Sequence, residues 1–481
     1  MTTVEYDVEV PMPDGVVLRC DVYRPSEEGP HPVLLVRTPY NKQDPTVLGV
    51  LDPLRATRAG FIVVIQDVRG RFASDGDWAP VVHERADGRT TAEWAARLPG
   101  GDGPVGTYGP SYLGQVQLAN DSPAVGASVI AFTWADPADG LAARGGAAEL
   151  GLVTNWSLRL ALNYLSRNGA GDDAVGRALD RFDVDVPGAR TTLDQTGMPL
   201  VDPTGPIFEP PSRPILVVAG WYDVFLQGCL DLYARTPGAS LIIGPWSHNN
   251  HSGQVGDVVA GLDADEGRFD LFGRQLAFLR RPPDEPTAEV FITGVGRWRT
   301  YASWPPPSEP QPFRIAGSFE FDPADPVPTH GGGLLISPGF PPGPLDQARI
   351  ERRPDVLVVT GEPLGDDLAV GGRVRATIRL TASQPSVDVV VRLCDVGPDG
   401  VSRNLTDGIF RVRDGRAEVE VEVDLWSVGH VFRAGHRIRA QITWSCFPRW
   451  DLAGGPGGTV TIHQGSAITL PIIAEAQLKV R

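Results

Sequence analysis

The sequence predicts an α/β chain: a mainly parallel sheet, interrupted by a helical insertion and followed by a second, all-β domain. Three observations carry that expectation. Continuous apolar runs near Val33, Ile62, Val105 and Val129 alternate with helical stretches such as residues 86–98, the pattern of strands buried on both faces. Between residues 141 and 210 the apolar residues fall at helical spacing instead. Beyond residue 312 they alternate with a period of two.

Taken in order, the first strands end where Asp136-Pro137-Ala138-Asp139-Gly140 breaks the pattern. Leu152, Trp156, Leu160 and Tyr164 then place one apolar face on a helix. Two further buried strands follow, at 215–219 and 240–243, before the residues around Phe291 and Trp298. Residues 304–312 are dense in proline and read as an extended linker. Residues 374–380, 387–393 and 417–423 then alternate as half-buried strands, which predicts a β-sandwich of jelly-roll type. The expected organisation is a core from 1–138 and 212–304, a helical cap at 139–211, and the β domain at 305–481.

Chemistry concentrates at the ends of the buried strands. Val105-Gly106-Thr107-Tyr108-Gly109-Pro110-Ser111 runs an apolar strand into a serine, with Gly109 before it and Gly114 after it. A serine hydroxyl is a weak nucleophile until a base removes its proton and a sharp strand-to-helix turn exposes it. The spacing is G-x-S-x-x-G, which in a chain with 56 glycines is weak evidence alone. Its partners supply the specificity. The strand from Ile215 ends in Gly220-Trp221-Tyr222-Asp223, and the strand from Leu241 ends in Gly244-Pro245-Trp246-Ser247-His248. Serine, acid and histidine thus occur in the chain order of an α/β-hydrolase, each just past a strand. Asp223 could instead be a turn residue, and His251 competes with His248. His248 is favoured because it directly follows the strand end, where a short loop can aim it.

These segments, together with Asp67-Val68-Arg69-Gly70-Arg71-Phe72-Ala73-Ser74-Asp75-Gly76, resemble the cocaine esterase and X-Pro dipeptidyl-peptidase family of serine hydrolases. The likeness extends to Phe321-Asp322-Pro323 and Gly435-His436-Arg437 in the β-rich part. The resemblance implies Ser111 as nucleophile, His248 as general base and then acid, and Asp223 as the residue that orients His248. It also implies that the Tyr40 hydroxyl and the backbone N–H of Tyr112 hold the oxyanion. One such donor is typically worth about 3 kcal/mol of barrier. From residue pattern alone, Tyr40 would be a half-buried aromatic at a strand end. The resemblance further suggests Trp156 and Phe225 as residues lining the acyl side, although an aromatic on an amphipathic helix is equally a core residue.

Family members that act on free amines hold the ammonium with carboxylates, because a buried cation needs a paired anion. Glu149, Asp172, Asp173 and Asp180 lie in the cap and could serve, but Asp223-Val224-Phe225 has the apolar character of the esterase branch. The leading expectation is a serine esterase or amidase working through an acyl-enzyme. An X-Pro aminopeptidase or α-amino ester hydrolase and an acyltransferase are the enzymatic alternatives. A carbohydrate-binding protein with an inert core is the alternative from another class.

Composition sets outer bounds. The 481 residues suffice for about three domains. A net charge of -16 argues against general nucleic-acid binding, which normally needs a basic face. Cys20, Cys229, Cys394 and Cys446 are widely separated and lack metal-ligand spacing, so buried thiols are expected and no cofactor is implied. The first residues lack the basic and apolar regions of a secretory signal, and no apolar run approaches the roughly 20 residues that span a bilayer. A cytoplasmic monomer or homodimer acting on a small-molecule ester or amide is expected.

Overall fold

The computed structural model describes residues 2–167, 173–182, 185–199 and 205–474. Ten strands form the central sheet, in the order Thr3–Pro11, Val17–Arg24, Ile62–Asp67, Val33–Thr38, Val105–Pro110, Val125–Ala131, Ile215–Tyr222, Ser240–Ser247, Ala288–Ile292 and Arg297–Tyr301. The strands from Ile62–Asp67 through Ala288–Ile292 pair in parallel, whereas the outermost pairings are antiparallel. Every residue of Val33–Thr38, Ile62–Asp67, Ile215–Tyr222 and Ser240–Ser247 is buried, which is why each stretch reads as an apolar run over most of its length.

Parallel pairing has a functional consequence. The C-terminal ends of the Val105, Ile215 and Ser240 strands lie along one edge, so residues just past each of them come together.

The helices Leu150–Arg167, Asp173–Phe182 and Val186–Asp194 form the insertion between the Val125–Ala131 and Ile215–Tyr222 strands. Leu152, Trp156 and Leu160 point inward into a cluster shared with Ile130, Val217 and Phe225 of the core, as the helical spacing predicts.

Two antiparallel sheets make the C-terminal part. One contains Ser308–Arg314, Gly317–Phe321, Leu368–Ala382, Val419–Phe432, Gly458–Ile462 and Ala467–Ile473, and the other Val356–Thr360, Val387–Val396, Ser402–Val412 and Arg437–Thr443. They close over a common core that includes Val374, Ile378, Val389, Val391 and Ile442. Of the three alternating segments expected as strands, 374–380 and 387–393 lie wholly in these sheets, and the third does so from Val419 onward.

The proline-dense stretch departs from expectation. Ser308–Arg314 is not a free linker but an edge strand paired antiparallel with Ala467–Ile473. An edge strand needs hydrogen bonds on one side only, so Pro310 and Pro312 are tolerated there. Among the described residues no helix is long and apolar enough to cross a membrane.

Candidate active site

Ser111 sits at the turn from the Val105–Pro110 strand into the Tyr112–Ala119 helix, with φ 61° and ψ −127°. A non-glycine residue at positive φ is strained and persists only where its surroundings hold it. Here the Ser111 N–H donates to the carbonyls of Ala131 (2.9 Å) and Phe132 (3.1 Å), and the Ser111 carbonyl accepts from Gly114 N and Thr133 Oγ1, both at 2.8 Å. Both flanking glycines have steric reasons. A Cβ on Gly109, itself at φ +142°, would lie 2.7 Å from Leu113 Cβ. One on Gly114 would lie 2.7 Å from Thr133 Cβ, so the helix could not pack where it does.

Asp223 and His248 meet at the same sheet edge. His248 Nδ1 lies 2.6 Å from Asp223 Oδ2, and the Phe225 N–H donates to Asp223 Oδ1 at 2.7 Å. The Asp223 side chain is fully buried and that of His248 is 8% exposed, so water competes little for the pair. A carboxylate accepts, hence Nδ1 carries the proton and Nε2 is left with its lone pair. Phe225 stands edge-on to the imidazole at 5.4 Å.

His251 goes elsewhere. Its Nδ1 lies 2.8 Å from Glu266 Oε2, and its ring stacks on Phe132 at 4.5 Å. A cavity of about 290 Å³ lined by Tyr108, Gly109, Pro110, Phe132, His251 and Phe272 backs onto the serine strand on that face of the sheet.

Tyr40 follows the Val33–Thr38 strand, and its hydroxyl interacts with the Ser111 side chain. Burial pushes its phenol up from the ordinary value, so it stays a proton donor near neutral pH. Trp156 Nε1 donates to the Tyr40 oxygen at 2.9 Å. Tyr112, at the first position of the helix, has an N–H with no acceptor inside the helix. Its side chain is fully buried: the hydroxyl donates to Glu84 Oε1 at 2.9 Å and accepts from Val81 N at 2.8 Å. Glu84 is in turn held by Arg37 Nη1 at 2.6 Å.

The structure therefore brings Tyr40, Ser111, Tyr112 and Trp156 into one group and Asp223, Phe225 and His248 into another, along one sheet edge. Phe132 joins them, through its carbonyl to Ser111 and its ring 6.4 Å from His248.

Several contributors escaped the sequence reading. Trp134 packs on both Tyr112 and Phe225, at ring separations of 6.4 and 5.2 Å. It lies three residues past the Val125–Ala131 strand, so the strand-end logic that found Ser111 could have found it. Trp78 and Glu84 reach the site through tertiary contacts that no local pattern announces.

The Asp67–Gly76 motif has a structural reading. Asp67 Oδ1 accepts from Lys42 N at 2.8 Å, and burial raises its carboxyl to about 6. Arg69 forms a two-pronged contact with Asp87 at 2.9 and 2.6 Å.

The cap carboxylates divide. Glu149 does not face a substrate amine: it is 1% exposed, accepts from Trp450 Nε1 at 2.8 Å and lies 4.0 Å from Arg449 Nε. Asp180 is exposed to solvent, while Asp172 and the side chain of Asp173 lie outside the described residues. The four cysteines are buried free thiols. Among the described residues no cluster of His, Cys, Asp or Glu has the arrangement of a metal site.

A strained serine turn and a buried acid–histidine pair at the C-terminal edge of a parallel sheet define the class as a serine hydrolase of the α/β-hydrolase type. The chain belongs to the X-Pro dipeptidyl-peptidase (S15) family, whose model matches residues 14–250, with the C-terminal non-catalytic domain of X-Pro dipeptidyl-peptidase matching 283–465. It is 33% identical to the cocaine esterase of Rhodococcus sp. (strain MB1 Bresler), over 98% of this chain and 99% of that one. Among solved structures it resembles an aminopeptidase from a marine sediment Thaumarchaeota archaeon, with TM-score 0.78, 22% identity and coverage of 98% and 97%. It also resembles an α-amino acid ester hydrolase, with TM-score 0.77, 21% identity and the same coverage. At these identities the two structures speak for the fold.

Proposed function

We propose that the protein is a serine carboxylesterase that cleaves small carboxylic esters, or amides, through an acyl-enzyme on Ser111. The observation that carries this reading is the 2.6 Å contact of His248 Nδ1 with buried Asp223, on the sheet edge that also presents Ser111. With Nδ1 committed to the carboxylate, Nε2 is the nitrogen that takes the Ser111 proton as Oγ attacks the carbonyl. Negative charge then develops on the carbonyl oxygen, where the Tyr40 hydroxyl and the Tyr112 N–H donate to it. His248 returns its proton to the leaving group. Water attacks the acyl-enzyme with His248 again as base, and Ser111 is regenerated.

Phe225 and Trp156 frame the acyl side. Their aromatic surroundings, with Trp134 and Tyr112, suit an apolar acyl group. The burial of Glu149 among arginines points the same way, because it removes one of the cap carboxylates that could pair with an ammonium.

The test is kcat/KM for two chromogenic esters of one leaving group, a short or aromatic acyl ester and an α-aminoacyl ester, with Ser111→Ala as control. Preference for the simple acyl group and loss of turnover in the variant are expected. Preference for the aminoacyl ester would overturn the substrate class and favour an aminopeptidase or α-amino ester hydrolase. Product partition that tracks an added alcohol or amine acceptor would identify an acyltransferase.

A further inference from the structure

The indole of Trp156 does more than fill space beside Tyr40. An indole nitrogen can only donate, so the 2.9 Å contact with the Tyr40 hydroxyl has one possible sense: Tyr40 accepts. A phenol oxygen carries a single proton, which must then point away from Trp156. The Ser111 side chain is among the groups that act on the hydroxyl. Trp156 is 7% exposed, so water is poorly placed to take over its bond to Tyr40.

Neighbouring contacts hold the two side chains in place. The Trp156 ring lies against Tyr112, at 6.1 Å and an interplanar angle of 27°, so one indole touches the residues of both proposed oxyanion donors. Behind them, the fully buried Arg71 donates from Nε to the Pro39 carbonyl at 2.9 Å and from Nη1 to the Leu160 carbonyl at 3.0 Å. Pro39 precedes Tyr40, and Leu160 lies one helical turn beyond Trp156. A single planar guanidinium therefore links the Tyr40 backbone to the cap helix and sets the separation across which the indole and phenol meet.

From this arrangement we infer that Trp156 is a positioning residue for the oxyanion donor: its N–H, supplied by the cap helix, directs the Tyr40 proton toward the acyl oxygen bound at Ser111. The inference rests on the proposed role of Tyr40 and goes beyond it, because it makes the cap a working part of the oxyanion hole.

A residue that only lines the acyl pocket would behave differently, and a double-mutant cycle separates the two. Trp156→Phe keeps an aromatic ring on Tyr112 and deletes the N–H. Against an acetyl and a benzoyl ester, it is expected to lower kcat about five- to tenfold, the size of one neutral hydrogen bond, with KM changed less than about twofold for both. In a Tyr40→Phe background the same substitution is expected to change kcat by less than about twofold, since no hydroxyl remains to orient.

Equal losses in both backgrounds, or a KM effect that grows with acyl size, would overturn the inference. A slow Tyr40→Phe enzyme beside an unimpaired Trp156→Phe enzyme would overturn it while leaving Tyr40 as donor. An unimpaired Tyr40→Phe enzyme would remove the donor, and the inference with it. Should the phenylalanine variant fold poorly, benzothienylalanine at position 156 replaces N–H by sulfur in a ring of nearly the same shape, and the same outcomes decide.

Discussion

Ser111 is held at φ 61° by bonds from the neighbouring strand, while Gly109 and Gly114 clear the space that its turn and helix need. Gly114→Ala would drive a methyl group into Thr133, the residue whose hydroxyl bonds the Ser111 carbonyl. It is expected to cost about 1–3 kcal/mol, read as a lower midpoint in denaturant, and to reduce kcat as well because the displaced neighbour anchors the turn. Tyr40→Phe tests a different quantity. It removes a donor used mainly in the transition state, so kcat should fall about 10²- to 10³-fold with a smaller change in KM. A kcat within twofold of wild type would remove Tyr40 from the oxyanion hole.

Between the cap and the β domain, the chain buries charge. Asp407 sits 2.7 Å from Arg449, 3.5 Å from Arg392 and 3.9 Å from Arg144. Burial pushes the Asp407 carboxyl up, but the attraction of Arg449, Arg392 and Arg144 outweighs it and holds the carboxyl below its ordinary value. Asp407→Ala would strand buried guanidinium groups and is expected to cost about 3–5 kcal/mol, measured by chemical denaturation. The sign of the pH dependence follows from the lowered value. The folded state holds the Asp407 proton less tightly than the unfolded chain does, so its stabilisation is full above about pH 4 and drains as pH falls through the folded value. The gap between melts of wild type and Asp407→Asn from about pH 6 down to 3 should therefore narrow below about pH 4. A constant gap across that range would contradict the assignment.

At the scale of the molecule, the β domain is tied to the hydrolase core by side chains close to the acid loop. Ser427 Oγ donates to Gln227 at 3.0 Å, Arg373 reaches Asp231 at 3.0 Å, and Thr293 Oγ1 donates to the Gly429 carbonyl at 3.0 Å. Gln227 and Asp231 lie on the helix that follows Asp223. A chain ending at residue 303 is accordingly expected to lack turnover, and full activity in that truncation would show that the acid loop needs no support from the β domain.

This division explains what the sequence disclosed. Buried parallel strands read as apolar runs, and a short loop leaves little freedom in where the next residue lies, so the architecture was legible and with it the strand-end positions of Ser111, Asp223 and His248. Local pattern was blind to contacts between distant segments. The bond from Trp156 to Tyr40 and that from Glu149 to Trp450 were invisible for that reason, and the latter is why Glu149 looked available. Prolines masked the edge strand Ser308–Arg314, because composition says that a ladder is interrupted but not that one side of it suffices.

Ser111 is the residue proposed to carry the acyl group. Reaction with 4-nitrophenyl acetate, quenched in acid during turnover and followed by peptide mass spectrometry, tests it most directly. One acetyl group on the peptide bearing Ser111, together with no acetylated peptide and no turnover from Ser111→Ala, is the result expected. Turnover by the alanine variant, or acetyl found reproducibly on another residue, would contradict it.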